Sequence, residues 1–473
     1  MDAHFKTPAI LRISRSGNSH ALVNDPVMGQ DHKSKLICLG LCVLLTACAV
    51  DPATVVNKHA AEDLRRADRH LLEVVMEDVF SPPVASRVYM YPHIAHYVTL
   101  HQFFPDSLPD LAGSLKDWPG PAPAAEPNAD PELAALLAFC AVGRSLVFTE
   151  AAMDSLSEMF VLEAQDRGLS KERIQASRRT ASSVAAHMKP WMAEDGYVRT
   201  RSLDRFTSSI EPGHWIETSP DYSGALESHW KEMRPLLIPS ASFYEVPPLP
   251  TYSTDTGSVF HKMVMEVYNA SKQLSDSTRS MALYWDDNPN ISTHRGHLVT
   301  MEHRISPPGH WLNIVSTVSR AEKADLYTTT KAYTLASIAM YDGGIACWHE
   351  KFRTDLVRPI TYIQEYVQPD WSTLIQTPPF PEFPSGHSVT SAAAATVLSG
   401  IFGEDHSFVD STEVLFGQGV RRFNSFQDAA WEVSLSRFYG GIHYMSSIRE
   451  GNSQGKAVGR VVLERINGTD HGK

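Results

Sequence analysis

Apolar residues recur three and four positions apart through residues 52–80, leaving Arg65, Arg66, Asp68 and Arg69 on the opposite face. That spacing matches the helical turn and predicts an amphipathic helix. The same period runs through 132–165 and 170–195, then returns at 257–283, 323–350, 386–402, 425–438 and 446–466. Strict apolar–polar alternation, the mark of a half-buried strand, is not found, so the pattern predicts an all-α chain. Two proline-rich stretches interrupt it, 117–132 and 235–257. The first reads as a loop. The second reads as the join between an N-terminal helical region, 49–250, and a C-terminal helical bundle, 251–473.

Tyr89, Ile94, Ala95 and Tyr97 recur at identical spacing as Tyr333, Ile338, Ala339 and Tyr341. This faint internal echo points to two similar bundles. At 473 residues the chain is long enough for two cores or one large helical domain. Its net charge of −12 argues against nucleic acid or an acidic lipid surface as the main partner. No Cys-x-x-Cys, HExxH or P-loop string appears, so zinc proteolysis and nucleotide binding have no support.

Three separated strings carry chemistry: KFRTDLVRP from Lys351, PSGH from Pro384 and SRFYGGIH from Ser436. Together they offer a lysine, arginines, a serine hydroxyl, glycine backbone and two histidines. That set suits holding a tetrahedral oxyanion, because arginine presents a planar fork to its oxygens and lysine adds a point charge. Lys351 and Arg358 are seven residues apart, so a continuous helix would face both to one side. Pro359 steers Arg358 out of the helical region, which predicts a helix ending just before it. Ser385, Gly386 and His387 open an alanine-rich run that reads as a buried helix closed by Gly403. Its first turn would offer free N–H groups to an anion, with Gly386 allowing close backbone approach. Gly440-Gly441 breaks helical regularity, so His443 is expected to begin a new turn or helix.

These strings resemble the signature shared by vanadium-dependent haloperoxidases and type 2 phosphatidic acid phosphatases. That signature is a lysine, six residues and Arg-Pro; then Pro-Ser-Gly-His; then Ser-Arg, five residues and histidine. Lys351, Arg358, Pro359, Pro384, Ser385, Gly386, His387, Ser436, Arg437 and His443 fill every position. YWDDNP, SPPGHW and TPPFPEFPSGH resemble flanking text of bacterial haloperoxidase-like members, so the likeness covers roughly 280–465.

The resemblance implies two four-helix bundles with the anion site on the second. It implies vanadate as cofactor, bound through His443, with Lys351, Arg358, Ser385, Gly386 and Arg437 holding its oxygens. His387 would act on the opposite apical oxygen, and the partners would be hydrogen peroxide with halide or a small organic substrate. Phosphate fits the same site, so the alternative is an acid phosphatase working through a phosphohistidine at His443. Trp348 and Phe380 match positions lining a halide pocket, although both could equally be core aromatics. Lipid-acting phosphatases carry several membrane-spanning helices, and this chain has no apolar run of about 18–20 residues. One departure stands out: the acidic residue usual four positions after the last histidine is Ser447 here. A carboxylate there would orient the imidazole, and a backbone carbonyl could serve instead.

Lys33 and Lys35 precede LICLGLCVLLTA and Cys48, the charge order and length of a signal peptide over residues 1–48. Leu45-Thr46-Ala47-Cys48 resembles a bacterial lipobox, which makes Cys48 the lipidation site. Anchoring would then be by lipid only, in the cell envelope, with Ala49 pointing to the outer membrane. Cys140 and Cys347 would remain, able to pair if close. The carboxylates Asp286 and Asp287 could orient a site arginine or simply turn the chain. His310 reads as structural. His349 and Glu350 are expected on solvated faces. His93, His96 and His101 lack a matching ligand set and do not read as a metal site.

Overall fold

The computed structural model describes residues 59–468. The signal-like segment and Cys48 lie outside the described residues. The described residues form one compact unit, which is predominantly helical.

The helices start where polar caps allow it. α1 (Ala60–Glu77) and α2 (Pro82–Phe103) are followed by α3 (Pro131–Arg144), α4 (Glu150–Asp166), α5 (Lys171–Ala193) and the short α6 (Tyr197–Arg201). Asp130 and Ser170 accept from backbone N–H groups in the first turns of α3 and α5, satisfying donors that a helix start leaves free. The later half contains α7 (Val259–Lys272), α8 (Asp276–Tyr284), α9 (Pro307–Ala321), α10 (Leu326–Thr354), α11 (Pro359–Tyr366), α12 (Gly386–Phe402), α13 (Phe426–Tyr439) and α14 (Met445–Asn467). Ser275, Asp325, Ser385 and Ser425 cap α8, α10, α12 and α13.

Several boundaries differ from the periodic pattern, each for a local reason. The run 132–165 is two helices, because Asp78 accepts from the Phe148 and Thr149 backbone and the Thr149 hydroxyl and turns the chain there. The run 257–283 breaks where Ser275 caps α8. α2 is buried nearly all round, so only the internal echo marked it. α9 hides behind Pro307 and Pro308, which sit in its first turn, where a missing N–H costs nothing. Four strands also form among the described residues. β1 (Asn290–Arg295) pairs with β2 (Leu298–His303) across a two-residue turn with Gly296 at φ 61°, and β3 (Phe408–Asp410) pairs with β4 (Arg421–Phe423). β2 is exposed along its length, so no buried face imposes the alternation that would reveal it.

The main apolar core draws on helices from α1 through to α14, and a second buried cluster joins α7, α11 and the start of α14. All eight residues of the internal echo are fully buried in the main core, and the His93 ring stacks on Tyr333 at 4.8 Å, joining α2 to α10. His93 also bonds Asp68, while His96 meets Thr330 and His101 the Leu108 carbonyl. Inside α10, buried Asp342 accepts from the N–H groups of Leu236, Leu237 and Ile238 at 2.7–3.0 Å. This docks the proline-rich stretch against the helix. Cys140 and Cys347 are both free and buried.

The contact that places the site is between α12 and α14, which run side by side in the same direction. Gly451, Gly455 and Gly459 recur every four residues along α14, so they form one stripe. A Cβ at these positions would lie 2.8 Å from Ser385 O, 2.3 Å from Val389 O and 2.6 Å from Thr396 Cβ. Two of those obstacles are backbone, which cannot rotate away. Gly455→Ala should therefore cost at least about 1–3 kcal/mol by overpacking, and should also impair anion binding because the two helix starts separate. Gly419→Ala, with nothing within 4 Å of its Cβ, should stay within about 0.5 kcal/mol. Urea unfolding of both variants checks this.

Candidate active site

The two helices of that seam begin at the same place. Ser385 caps α12, His443 lies just ahead of α14, and the Ser385 N–H donates to Ser447 O at 3.1 Å. The C-terminal end of α10 meets them from the opposite direction, bringing Lys351. α10 ends at Thr354, four residues earlier than Pro359 alone would require, with Asp355 left-handed at φ 46°. Arg358 is thus not on the helix of Lys351. It caps α11 in extended geometry and reaches the site from there.

The described structure brings all seven oxyanion-site candidates together. Lys351, Arg358, Ser385, Arg437 and His443 are buried, and Gly386 and His387 are half-buried. Arg358 Nη1 lies 3.2 Å from His443 Nε2 and donates to Ile442 O, while its Nε donates to Phe380 O. Lys351 Nζ donates to the carbonyls of Pro381, Glu382 and Pro384. Arg437 Nη1 donates to the Trp285 and Asp286 carbonyls, and His387 Nε2 shares the latter at 3.2 Å. The Trp348 and Phe380 rings stand 5.1 Å apart. Phe380 also receives Lys351 and Arg358 over its face at 4.9 and 5.2 Å, an arrangement that steadies both cations.

A cavity of about 40 Å³ opens at this point, lined by Trp348, Phe380, Gly386, His387 and His443 with prolines 82, 83, 307, 308 and 378. A larger surface groove of about 970 Å³ lies around Phe103 and Trp118 and is lined by none of these donors.

Burial sets the protonation. It pushes Lys351 down to about 7 and Arg358 down to about 10, because an isolated cation is costly away from water. His443 is held well below its usual value by burial and by Arg358, Lys351 and Arg437 nearby. His387 is lowered by burial and by Arg437. Both imidazoles are therefore neutral at pH 7. Since His387 Nε2 faces a carbonyl, it carries the proton, and Nδ1 is left as an acceptor.

The residue that inspection of the motifs overlooked is Glu382. Its Oε1 lies 2.8 Å from both His443 Nδ1 and Tyr444 N, and its Oε2 accepts from the Ser447 hydroxyl. The partner of His443 is thus a carboxylate from a distant loop, not a backbone carbonyl. The only sequence signal was an acid among the prolines of TPPFPEFPSGH.

Behind Arg437 lies a second buried network. His310 Nδ1 meets Asp287 Oδ1 at 2.9 Å and its Nε2 meets Asp410 Oδ2 at 2.8 Å. Trp285 stacks on the ring at 4.4 Å. Glu413 brings a third ligand-type carboxylate close, but both His310 nitrogens are already engaged, so the group is an ion network. It braces the Trp285–Asp287 segment whose carbonyls hold Arg437 and His387. His349 is half-exposed as expected, whereas Glu350 is buried and paired with Arg353.

His310→Leu should cost about 3–5 kcal/mol by leaving the Asp287 and Asp410 carboxylates buried without their cation. The flanking carboxylates raise His310 well above its usual value, against the opposing effect of burial. Its stabilisation is therefore complete below about pH 6.5 and fades as pH rises towards the folded-state value. Urea unfolding across pH 6–10 should show the deficit of the variant shrinking at the alkaline end.

Residues 331–471, which contain all three motifs, match the family model of the VCPO second helical-bundle domain. The structure resembles that of the first bacterial vanadium-dependent iodoperoxidase, with a TM-score of 0.79 and 36% identity, covering 86% of this chain and 96% of that one. Holo and apo forms of a bacterial vanadium-dependent chloroperoxidase share the fold, with TM-scores of 0.55 and 0.57. They are 16% and 15% identical, and cover 84% and 83% of this chain and 96% of each of theirs. No curated protein sequence matches. Likeness at this identity over nearly the full length of a bacterial iodoperoxidase shows that the chain belongs to the superfamily of vanadium-dependent haloperoxidases and type 2 phosphatidic acid phosphatases.

Proposed function

We propose that this chain is a vanadate-dependent haloperoxidase that oxidises halide with hydrogen peroxide. One observation carries the reading: Lys351, Arg358 and Arg437 converge, buried, on neutral His443. Arg358 Nη2 and Arg437 Nε are buried without a hydrogen-bond partner. Such donors call for an anion, because an unpaired buried guanidinium N–H is expensive. A Cβ on Gly386 would point among Trp348 Cζ3, Cys347 Sγ and Lys351 Cε at 3.6–3.9 Å, so a side chain there would take up room beside Lys351 that the glycine leaves clear. The donor set therefore fits vanadate.

In this reading Lys351, Arg358, Arg437, Ser385 and the Gly386 N–H would hold the oxygens of vanadate, and His443 Nε2 would be its ligand. When bound, vanadate supplies the Lewis-acid centre that activates hydrogen peroxide. His387 Nδ1 accepts the proton that peroxide loses and returns it later. The proline, Trp348 and Phe380 walls exclude water, and they favour a large, weakly hydrated halide. Iodide is the proposed substrate, consistent with the activity named for the most similar structure described above.

Protein stripped of metal by a chelator should oxidise iodide only after vanadate is restored, with inorganic phosphate competing. His387→Ala should lower turnover about 10²–10⁴-fold with little change in vanadate affinity. Triiodide absorbance reports the rate. Iodide oxidation indifferent to vanadate, or phosphomonoester hydrolysis without peroxidase activity, would overturn the reading and favour the phosphatase.

The proposed location is the cell envelope, through lipid on Cys48. No described helix is long and apolar enough to cross a membrane, and two acyl signals suffice for stable anchoring. Cys48→Ser should move the protein from the membrane fraction to the soluble fraction. Unchanged partition would refute the anchor.

A further inference from the structure

We propose that Glu382 is the residue that positions His443, fixing the imidazole as the Nδ1–H tautomer so that its Nε2 lone pair points into the cationic cleft. The inference rests on the function proposed above for the meaning of that lone pair, but not for the geometry itself.

Glu382 is fully buried, and both carboxylate oxygens act as acceptors. Oε1 faces His443 Nδ1 at 2.8 Å and already accepts the Tyr444 N–H, while Oε2 accepts the Ser447 hydroxyl, so the carboxylate is arranged as an acceptor and the ring donates to it from Nδ1. Nε2 is then unprotonated. Arg358 Nη1, 3.2 Å away, can only donate, which requires the same tautomer from the other side. Two independent neighbours thus select one protonation pattern.

The carboxylate is itself held in place. The Tyr444 N–H and the Ser447 hydroxyl fix its two oxygens, the Glu382 N–H donates to Leu356 O, and its carbonyl accepts from Lys351 Nζ. Glu382 therefore touches the cation on α10, the histidine ahead of α14 and the first turn of α14 through one residue. Ser447 orients the acid rather than the imidazole.

The test uses inorganic phosphate as probe, with histidine ¹⁵N shifts as a second readout. The His443 signal is identified by its loss in His443→Gln. Wild type should show the Nδ1–H tautomer. Glu382→Met, close in shape but without acceptors, should shift the ring toward Nε2–H and weaken phosphate about 10–100-fold, as loss of such outer partners generally does. Adding Ser447→Asp to that variant should restore both, since it returns a carboxylate beside His443. Ser447→Asp alone should weaken phosphate, because its carboxylate would face Glu382 Oε2 in a buried site.

A folded Glu382→Met that keeps wild-type tautomer and phosphate affinity would overturn the proposal. If Glu382→Met does not fold, Ser447→Asp alone decides, and unchanged affinity there refutes it. Should the wild type bind neither vanadate nor phosphate, the proposed function fails, while the tautomer measurement still judges Glu382.

Discussion

The close approach of α12 and α14 is the constraint on which the site depends. Three glycines on α14 let its backbone lie against α12 where any side chain would collide with carbonyl oxygens. Because the helices run parallel, their N-terminal ends coincide, and the Ser385 N–H bonds to Ser447 O. Helix starts carry free N–H groups and partial positive charge. Bringing two together builds an electropositive corner before any cation is added. Lys351 and Arg358 then enter from the end of α10 and the start of α11, and Arg437 from the last turn of α13.

Concentrating three cations in a dry corner is unfavourable, and the fold answers with carbonyls. Lys351 is held by three, Arg358 by two and Arg437 by two. Neutral acceptors steady a cation without cancelling its field, as carboxylates in direct contact would. The nearest acids are kept one step away: Asp286 lies 3.9 Å from Arg437, and Glu382 faces the histidine. Burial raises Asp286 to about 6, still below neutral pH, so it keeps most of its charge beside Arg437. The His310 network, with Asp287 and Asp410, keeps the carbonyl donors of this arrangement from moving.

The two histidines show how environment separates roles. Both are neutral, yet His443 faces a carboxylate at Nδ1 while His387 faces a carbonyl at Nε2. Opposite nitrogens are left as acceptors. One side chain type thereby presents two differently oriented acceptor nitrogens within the same pocket.

Much of this was determined by local sequence. Helical period, serine and aspartate caps and the three motifs are near-neighbour features, so the helices around the site and the residues Lys351, Arg358, Ser385, Gly386, His387, Arg437 and His443 could be read directly. The PSGH segment at a helix start and the turn before His443 followed from the same local rules. Other features depended on partners far along the chain. The exposed hairpin β1–β2 had no buried face to pattern it, and α2 was too uniformly buried to show one. Glu350, expected in solvent, is buried because the opposite side of α10 is covered as well. The substitution at Ser447 looked like a loss of the acid beside His443. Only tertiary structure shows the acid arriving from Glu382, because a hydrogen bond spanning 61 positions leaves no periodic or spacing signal in the sequence.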